Sequence, residues 1–204
     1  MRFPWLAAAA ACVVLTGCSS PDSAKKEAVQ TPKVPDIYKI KLDTSKGPVA
    51  IEIHRDWAPI GADRLYDLVK HGYYDGARFF RVVPGFVVQF GLAADPAVTK
   101  KWDTQLPDDP VTQHNTVGTL VYAKTSAPNS RTTQLFINTG DNSQTLDPQG
   151  FAPLGTVISG MDAVMSIYSG YGQRPDQEAI TNQGNTYLQS QFPLLDYIKT
   201  ATIE

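Results

Sequence analysis

The run Phe80-Arg81-Val82-Val83-Pro84-Gly85-Phe86-Val87-Val88-Gln89 sets one guanidinium among strongly apolar neighbours. In an extended chain successive side chains face opposite ways, and an Arg is seldom fully buried without partners. Gln89, on the following apolar stretch, is the nearest polar candidate. A guanidinium brings positive charge and hydrogen-bond donors, but neither a nucleophile nor a base. The plain alternative is an edge-strand Arg that covers apolar surface with its stem and keeps its head in water. Both readings stand on this run alone. Other chemistry finds little support. The chain has no Gly-rich phosphate loop, no G-x-S-x-G and no H-E-x-x-H. His54, His71 and His114 lie far apart without ligand spacing and read as surface or packing residues. Asp141-Asn142 and Asp147 crowd one stretch, but the spacing and terminal Glu of an EF-hand are missing, and turn chemistry accounts for them. Covalent and metal-assisted hydrolysis lack their usual parts, so no metal and no cofactor are expected.

The elements that must carry Arg81 are legible from periodicity. Tyr38, Ile40 and Leu42 alternate, Gly47-Pro48 marks a turn, and Val49, Ile51 and Ile53 alternate again, which predicts an antiparallel hairpin. Further strands are predicted at 79–83, 86–90, 119–123, 134–138, 152–157 and 196–203. Pro59 opens a helix over about 59–71, with Ala62, Leu65, Leu68 and Val69 at helical spacing and Gly72 after it. Met161, Val164, Met165 and Tyr168 predict a second helix, and a third covers about 183–192 before Pro193. Eight short strands, two or three capping helices and no βαβ rhythm predict a mainly β, antiparallel barrel. No internal repeat and no boundary after residue 36 are visible.

Composition is consistent with this. The 204 residues include 15 Gly and 15 Pro and only 19% charged residues, with a formal net charge of -2, which argues against a nucleic-acid partner. Two cysteines cannot build a disulfide scaffold. The N-terminus reads as an address: Met1-Arg2, an apolar stretch from Phe3 to Leu15, then Leu15-Thr16-Gly17-Cys18. The stretch is too short to span a bilayer but suits a signal peptide. Leu-Thr-Gly-Cys resembles the bacterial lipobox, which implies cleavage after residue 17 and a lipid on Cys18. Cys12 would then leave with the signal and Arg2 with it, giving 17 basic against 20 acidic residues. Ser19 and Ser20 resemble the signal for the outer membrane where two membranes exist. Residues 18–35 are polar and proline-bearing, a tether with an rms reach of roughly 20–25 Å and a limit of about 60 Å. Residues 36–204 form the expected domain.

A second segment decides the meaning of Arg81. Gly118-Thr119-Leu120-Val121-Tyr122-Ala123, Gln134-Leu135-Phe136-Ile137-Asn138, Leu146-Asp147 and Gly150-Phe151-Ala152-Pro153 follow the first run in order. Together they resemble the cyclophilins, peptidyl-prolyl cis-trans isomerases, over essentially all of residues 37 to 204. The resemblance implies an eight-stranded antiparallel barrel and proline-containing unfolded or flexible polypeptides as partners. It implies that Arg81 acts on the amide with Gln89 orienting it or touching the substrate backbone. Phe86, Val87, Phe136 and Leu146 would wall the pocket for the proline ring, Ala123 and Gln134 would lie along the groove for preceding residues, and Phe151 at its rim. The expected protein is a monomeric, lipid-anchored isomerase that assists folding of exported proteins at the cell envelope. Its anchor would hold it to a membrane, on the periplasmic face of the outer one if the organism has two. The alternative of a different class is a non-catalytic binder of proline-containing segments.

Several positions depart from the family pattern. The groove Met is Val87, the Asn after the groove Ala is Lys124, and the aromatic before Leu146-Asp147, Trp in many members, is Thr145. The rim His is Phe151, as in bacterial members with the same Gly-Phe-Ala-Pro run. Losing the Trp resembles cyclophilins that bind cyclosporin weakly. The segment 168–195 is longer than in minimal members, and Tyr187, Leu188 and Phe192 are expected to pack its helix onto the barrel.

Overall fold

The computed structural model describes residues 34–204. The signal, Cys18 and the tether up to residue 33 lie outside the described residues. Among the described residues eight strands are present: β1 (Ile37–Thr44), β2 (Gly47–His54), β3 (Arg81–Val83), β4 (Val87–Phe90), β5 (Thr119–Tyr122), β6 (Leu135–Asn138), β7 (Pro153–Ser159) and β8 (Ile198–Ile203). All pairings are antiparallel, in the order β3-β4-β6-β5-β7-β2-β1-β8, and the sheet curls into a half-barrel. Its two end strands are joined through the chain just before β3. There Gly76 N donates to Ile198 O (2.8 Å), Ile198 N to Ala77 O (2.9 Å) and Phe79 N to Asp196 O (3.0 Å).

Strand alternation divides the central strands between two apolar compartments. Val88 and Phe90 of β4, Leu120 and Tyr122 of β5, and Leu135 and Ile137 of β6 enter the main core with Leu42, Ile51 and Leu65. Their alternates Val87, Val121 and Phe136 form a separate cluster with Leu146 on the opposite face. Both faces are covered, so these strands read as continuous apolar runs rather than as clean alternation.

The first hairpin turns at Ser45-Lys46 rather than at Gly47-Pro48. Thr44 pairs with Gly47 and Asp43 with Pro48, which places both turn candidates inside β2. The β3–β4 connection is a Pro84-Gly85 turn closed by Phe86 N on Val83 O (3.0 Å), with Gly85 at φ 73°. Proline at the second position and a left-handed residue at the third suit a type II turn, and glycine supplies that φ without strain.

The helices exceed the two or three expected. Helix α1 (Pro59–Lys70) matches the prediction, and α4 (Met161–Met165) realises the second. The third, expected over about 183–192, is realised as α6 (Asn185–Gln191), and α5 (Gln177–Gln183) precedes it unforeseen. Gly184 between them has φ 57° and ψ -140°, and a Cβ there would lie 2.3 Å from Ala94 O. The two helices stay separate because the backbone passes against Ala94, whose oxygen accepts from Asn185 N (2.9 Å). Two further short helices also lie outside the expectation. Helix α2 (Pro96–Trp102) starts at an Asp95 cap on Ala97 N (2.8 Å), and α3 (Ser143–Leu146) leads into a 3₁₀ turn over Asp147–Gln149. Seven and four residues carry too little periodicity to register. Leu188 is buried with Phe80, Leu92, Ile180 and Leu195, and Tyr171, Tyr187 and Phe192 pack against that cluster.

Candidate active site

Register assembles the site. Arg81 of β3 pairs with Gln89 of β4, Gln89 with Phe136 of β6, and Phe136 with Val121 of β5. Four strands thus place one guanidinium, one amide and two apolar side chains in a single row across the sheet's outer face. The next row runs Val83, Val87, Asn138. The row borders a cleft of about 460 Å³ whose walls include Arg81, Phe86, Val87, Gln89, Ala123, Gln134, Phe136, Leu146 and Phe151. All nine residues singled out for binding or chemistry therefore meet at one place. Phe136 and Phe151 pack edge to face at 5.8 Å.

The polar side of the cleft is a chain of amides. Arg81 Nη1 donates to Gln89 Oε1 (3.0 Å), and Gln89 Nε2 donates to Gln134 Oε1 (2.9 Å). With its oxygen on Arg81 and its nitrogen on Gln134, the buried Gln89 has a single sensible orientation. Arg81 also donates through Nε to Gln173 Oε1 (3.3 Å) and lies 5.6 Å from the Phe86 ring centre. Partial burial lowers the guanidinium pKa from its usual value, because desolvation disfavours the charged form. Among the described residues, Arg81 Nη2 has no protein acceptor. The site thus offers a cation with a spare donor beside an apolar recess. Such a site can hold a ring and stabilise charge.

Sequence reasoning missed the scaffold behind the walls. Asn138, fully buried, donates through Nδ2 to Asn115 Oδ1 (3.1 Å) and Thr119 Oγ1 (2.8 Å). Asn142 donates to Asn138 Oδ1 (2.6 Å) and to the Phe86 carbonyl (2.9 Å), and Asn115 donates to the Phe151 carbonyl (2.8 Å) and Asp147 Oδ1 (2.7 Å). Burial pulls the Asp147 carboxyl upward, but hydrogen bonds from Asn115 and His114 outweigh it and hold the pKa below its usual value. These amides tie together the backbones carrying Phe86, Leu146 and Phe151. The one available signal was a polar residue, Asn138, at the outward position following Phe136. The loop that bears Ala123 and Gln134 is secured separately. Buried Arg131 donates to Asp109 Oδ2 (2.9 Å) and to the Pro107 carbonyl, while Asp109 caps α1 through Ile60 N (3.0 Å) and Gly61 N (2.9 Å). Lys124, at the departed Asn position, lies 3.4 Å from Asp108 and 5.5 Å from the Phe151 ring centre. Thr145, Gln149 and Gln177 also line the cleft.

An antiparallel half-barrel with an apolar cleft and one oriented guanidinium defines a class that binds an apolar group beside a cationic donor. Comparison with known proteins names it. The family model described as cyclophilin type peptidyl-prolyl cis-trans isomerase matches residues 39–185. A peptidyl-prolyl cis-trans isomerase of Acinetobacter baylyi is 36% identical over 132 residues, 63% of this chain and 70% of that protein. Isomerase B of Escherichia coli is 31% identical over 140 residues, covering 63% and 82%. Among solved structures, a cyclophilin-type isomerase of Cryptosporidium parvum superposes with a TM-score of 0.62 at 20% identity, covering 82% of this chain and 98% of that one. This last likeness concerns the fold. The chain belongs to the cyclophilin-type peptidyl-prolyl cis-trans isomerases.

Proposed function

We propose that this isomerase acts on X-Pro bonds of exported polypeptides outside the cytoplasmic membrane, held there by a lipid on Cys18, and that Arg81 is its catalytic group. The X-Pro amide is planar because the nitrogen lone pair is delocalised, with a barrier of about 18–20 kcal/mol. Twisting localises the pair on nitrogen. A donor aimed at that nitrogen therefore binds the twisted state more strongly than either planar one, and no covalent bond is made or broken. The observation that carries this reading is the Arg81 Nη1–Gln89 Oε1 bond of 3.0 Å, which orients a cation beside the cleft walled by Phe86, Phe136 and Leu146. The proline ring sits against Phe86, Val87, Phe136 and Leu146. Residues before it run along Ala123 and Gln134, and Phe151 forms the rim. Gln134 Oε1 is taken by Gln89, so its Nε2 remains to donate to a substrate carbonyl.

A gain of about 10⁴ in rate needs about 5.4 kcal/mol, at 1.36 per decade. One charged hydrogen bond supplies about 1.5–3 kcal/mol, and desolvation with orientation supplies the remainder. Exchange between cis and trans forms of a short X-Pro peptide, followed by NMR line broadening, tests the role. Arg81→Ala should lower the catalysed rate about 10- to 150-fold. Equal broadening by both proteins would remove Arg81 from the mechanism, and none from the unmutated protein would favour the non-catalytic binder. For the anchor, Cys18→Ser should shift the protein from the membrane to the soluble fraction, and undiminished membrane partition would refute the lipid. Sedimentation equilibrium should return a monomer.

A further inference from the structure

The connection between β7 and β8 engages Arg81 and both of its neighbours. Phe80 is buried in the cluster of Ile180, Leu188 and Leu195, which α5, α6 and the approach to β8 contribute. Val82 N donates to the Gly172 carbonyl (3.0 Å), and Arg81 Nε donates to Gln173 Oε1 (3.3 Å). Gln177, the first residue of α5, stands on the cleft wall with Arg81. The turn that presents Gln173 is itself braced. Tyr171 packs edge to face on Phe192 at 5.1 Å, and Arg174 lies over the Tyr171 ring while donating to the Gly170 carbonyl (3.1 Å).

From this we infer that Gln173 is a positioning residue for Arg81. The long connection is thereby part of the catalytic apparatus as well as packing on the barrel. The inference rests on the proposed role of Arg81. Gln89 alone holds one nitrogen of a planar ion and leaves the plane free to swing about that bond. A second acceptor on Nε stops the swing, and Nη2 is the nitrogen left to donate. Gln173 is exposed, so water competes for Nε and the effect is modest.

In the whole chain, Gln173→Leu should lower kcat about two- to tenfold with KM unchanged, the scale of one hydrogen bond. Gln173→Glu, which keeps an oxygen in place to accept from Nε, should restore the rate. The ¹⁵Nε–H resonance of Arg81 should move in the Leu variant and return in the Glu variant. In an Arg81→Ala background, Gln173→Leu should cost nothing further. Unchanged kcat in Gln173→Leu, or the same loss with Arg81 already absent, would overturn the inference while leaving Arg81 in place. A rate unaffected by Arg81→Ala would instead overturn the underlying role of Arg81, so the two failures are distinct.

Discussion

Replacing Asn138 with Leu removes the centre of the amide scaffold behind the pocket while keeping the branched shape of the side chain, so no cavity is opened. Asn138 gives up two donated bonds, to Asn115 Oδ1 and Thr119 Oγ1, and one accepted from Asn142 Nδ2. Two partners retain other bonds: the Thr119 hydroxyl donates to Thr116 O (2.8 Å), and Asn142 Nδ2 still reaches Phe86 O. What is orphaned is the Asn115 amide oxygen and one N–H of Asn142. Each buried orphan costs about 1–3 kcal/mol, giving roughly 2–6 kcal/mol in all. With a urea slope of roughly 2 kcal/mol/M, the unfolding midpoint should fall by about 1–3 M. Because Asn142 and Asn115 hold the carbonyls of Phe86 and Phe151, KM for an X-Pro peptide should also rise. A midpoint within about 0.3 M of the parent protein would refute the view that this network holds the walls.

Two further outcomes follow from other sites. Asp147 has a pKa depressed below its unfolded value of 3.8, so its ionisation stabilises the fold above that value and the benefit is lost as pH falls through the lower folded one. Urea midpoints measured between about pH 5 and pH 2 should therefore decline less steeply for Asp147→Asn, and parallel declines would contradict the assignment. Thr145 occupies the cleft position where many cyclophilins carry Trp, so cyclosporin should inhibit weakly and Thr145→Trp should tighten inhibition; an unchanged inhibition constant would show that this position does not limit the drug.

Much of the fold was legible because short-range physics specifies it. Residues 59–70 have helical apolar spacing behind a Pro at the first turn, and the eight strands are runs whose side chains fit a pleated, buried surface. What local pattern leaves out lies where residues distant in sequence meet. Gly184 passes against Ala94 and separates α5 from α6, and α1 takes its cap from Asp109, about fifty residues along the chain. Arg81, Gln89 and Phe136 were recognisable from motifs. Gln173 and Asn115 were not, because nothing near them in sequence marks what they meet.

By itself, the sequence determined the class of this protein: a β-rich domain with one guanidinium in an apolar run, in segments that resemble the cyclophilins. Only the tertiary structure decided what that guanidinium touches. Hydrogen bonds act over about 3 Å, and the partners that orient Arg81 lie 8 residues away in Gln89 and 92 away in Gln173. Register across β3, β4, β6 and β5 places Arg81, Gln89, Phe136 and Val121 in one row. A slip of one residue would turn Gln89 into the core and Val88 into the cleft, because side chains on a strand alternate.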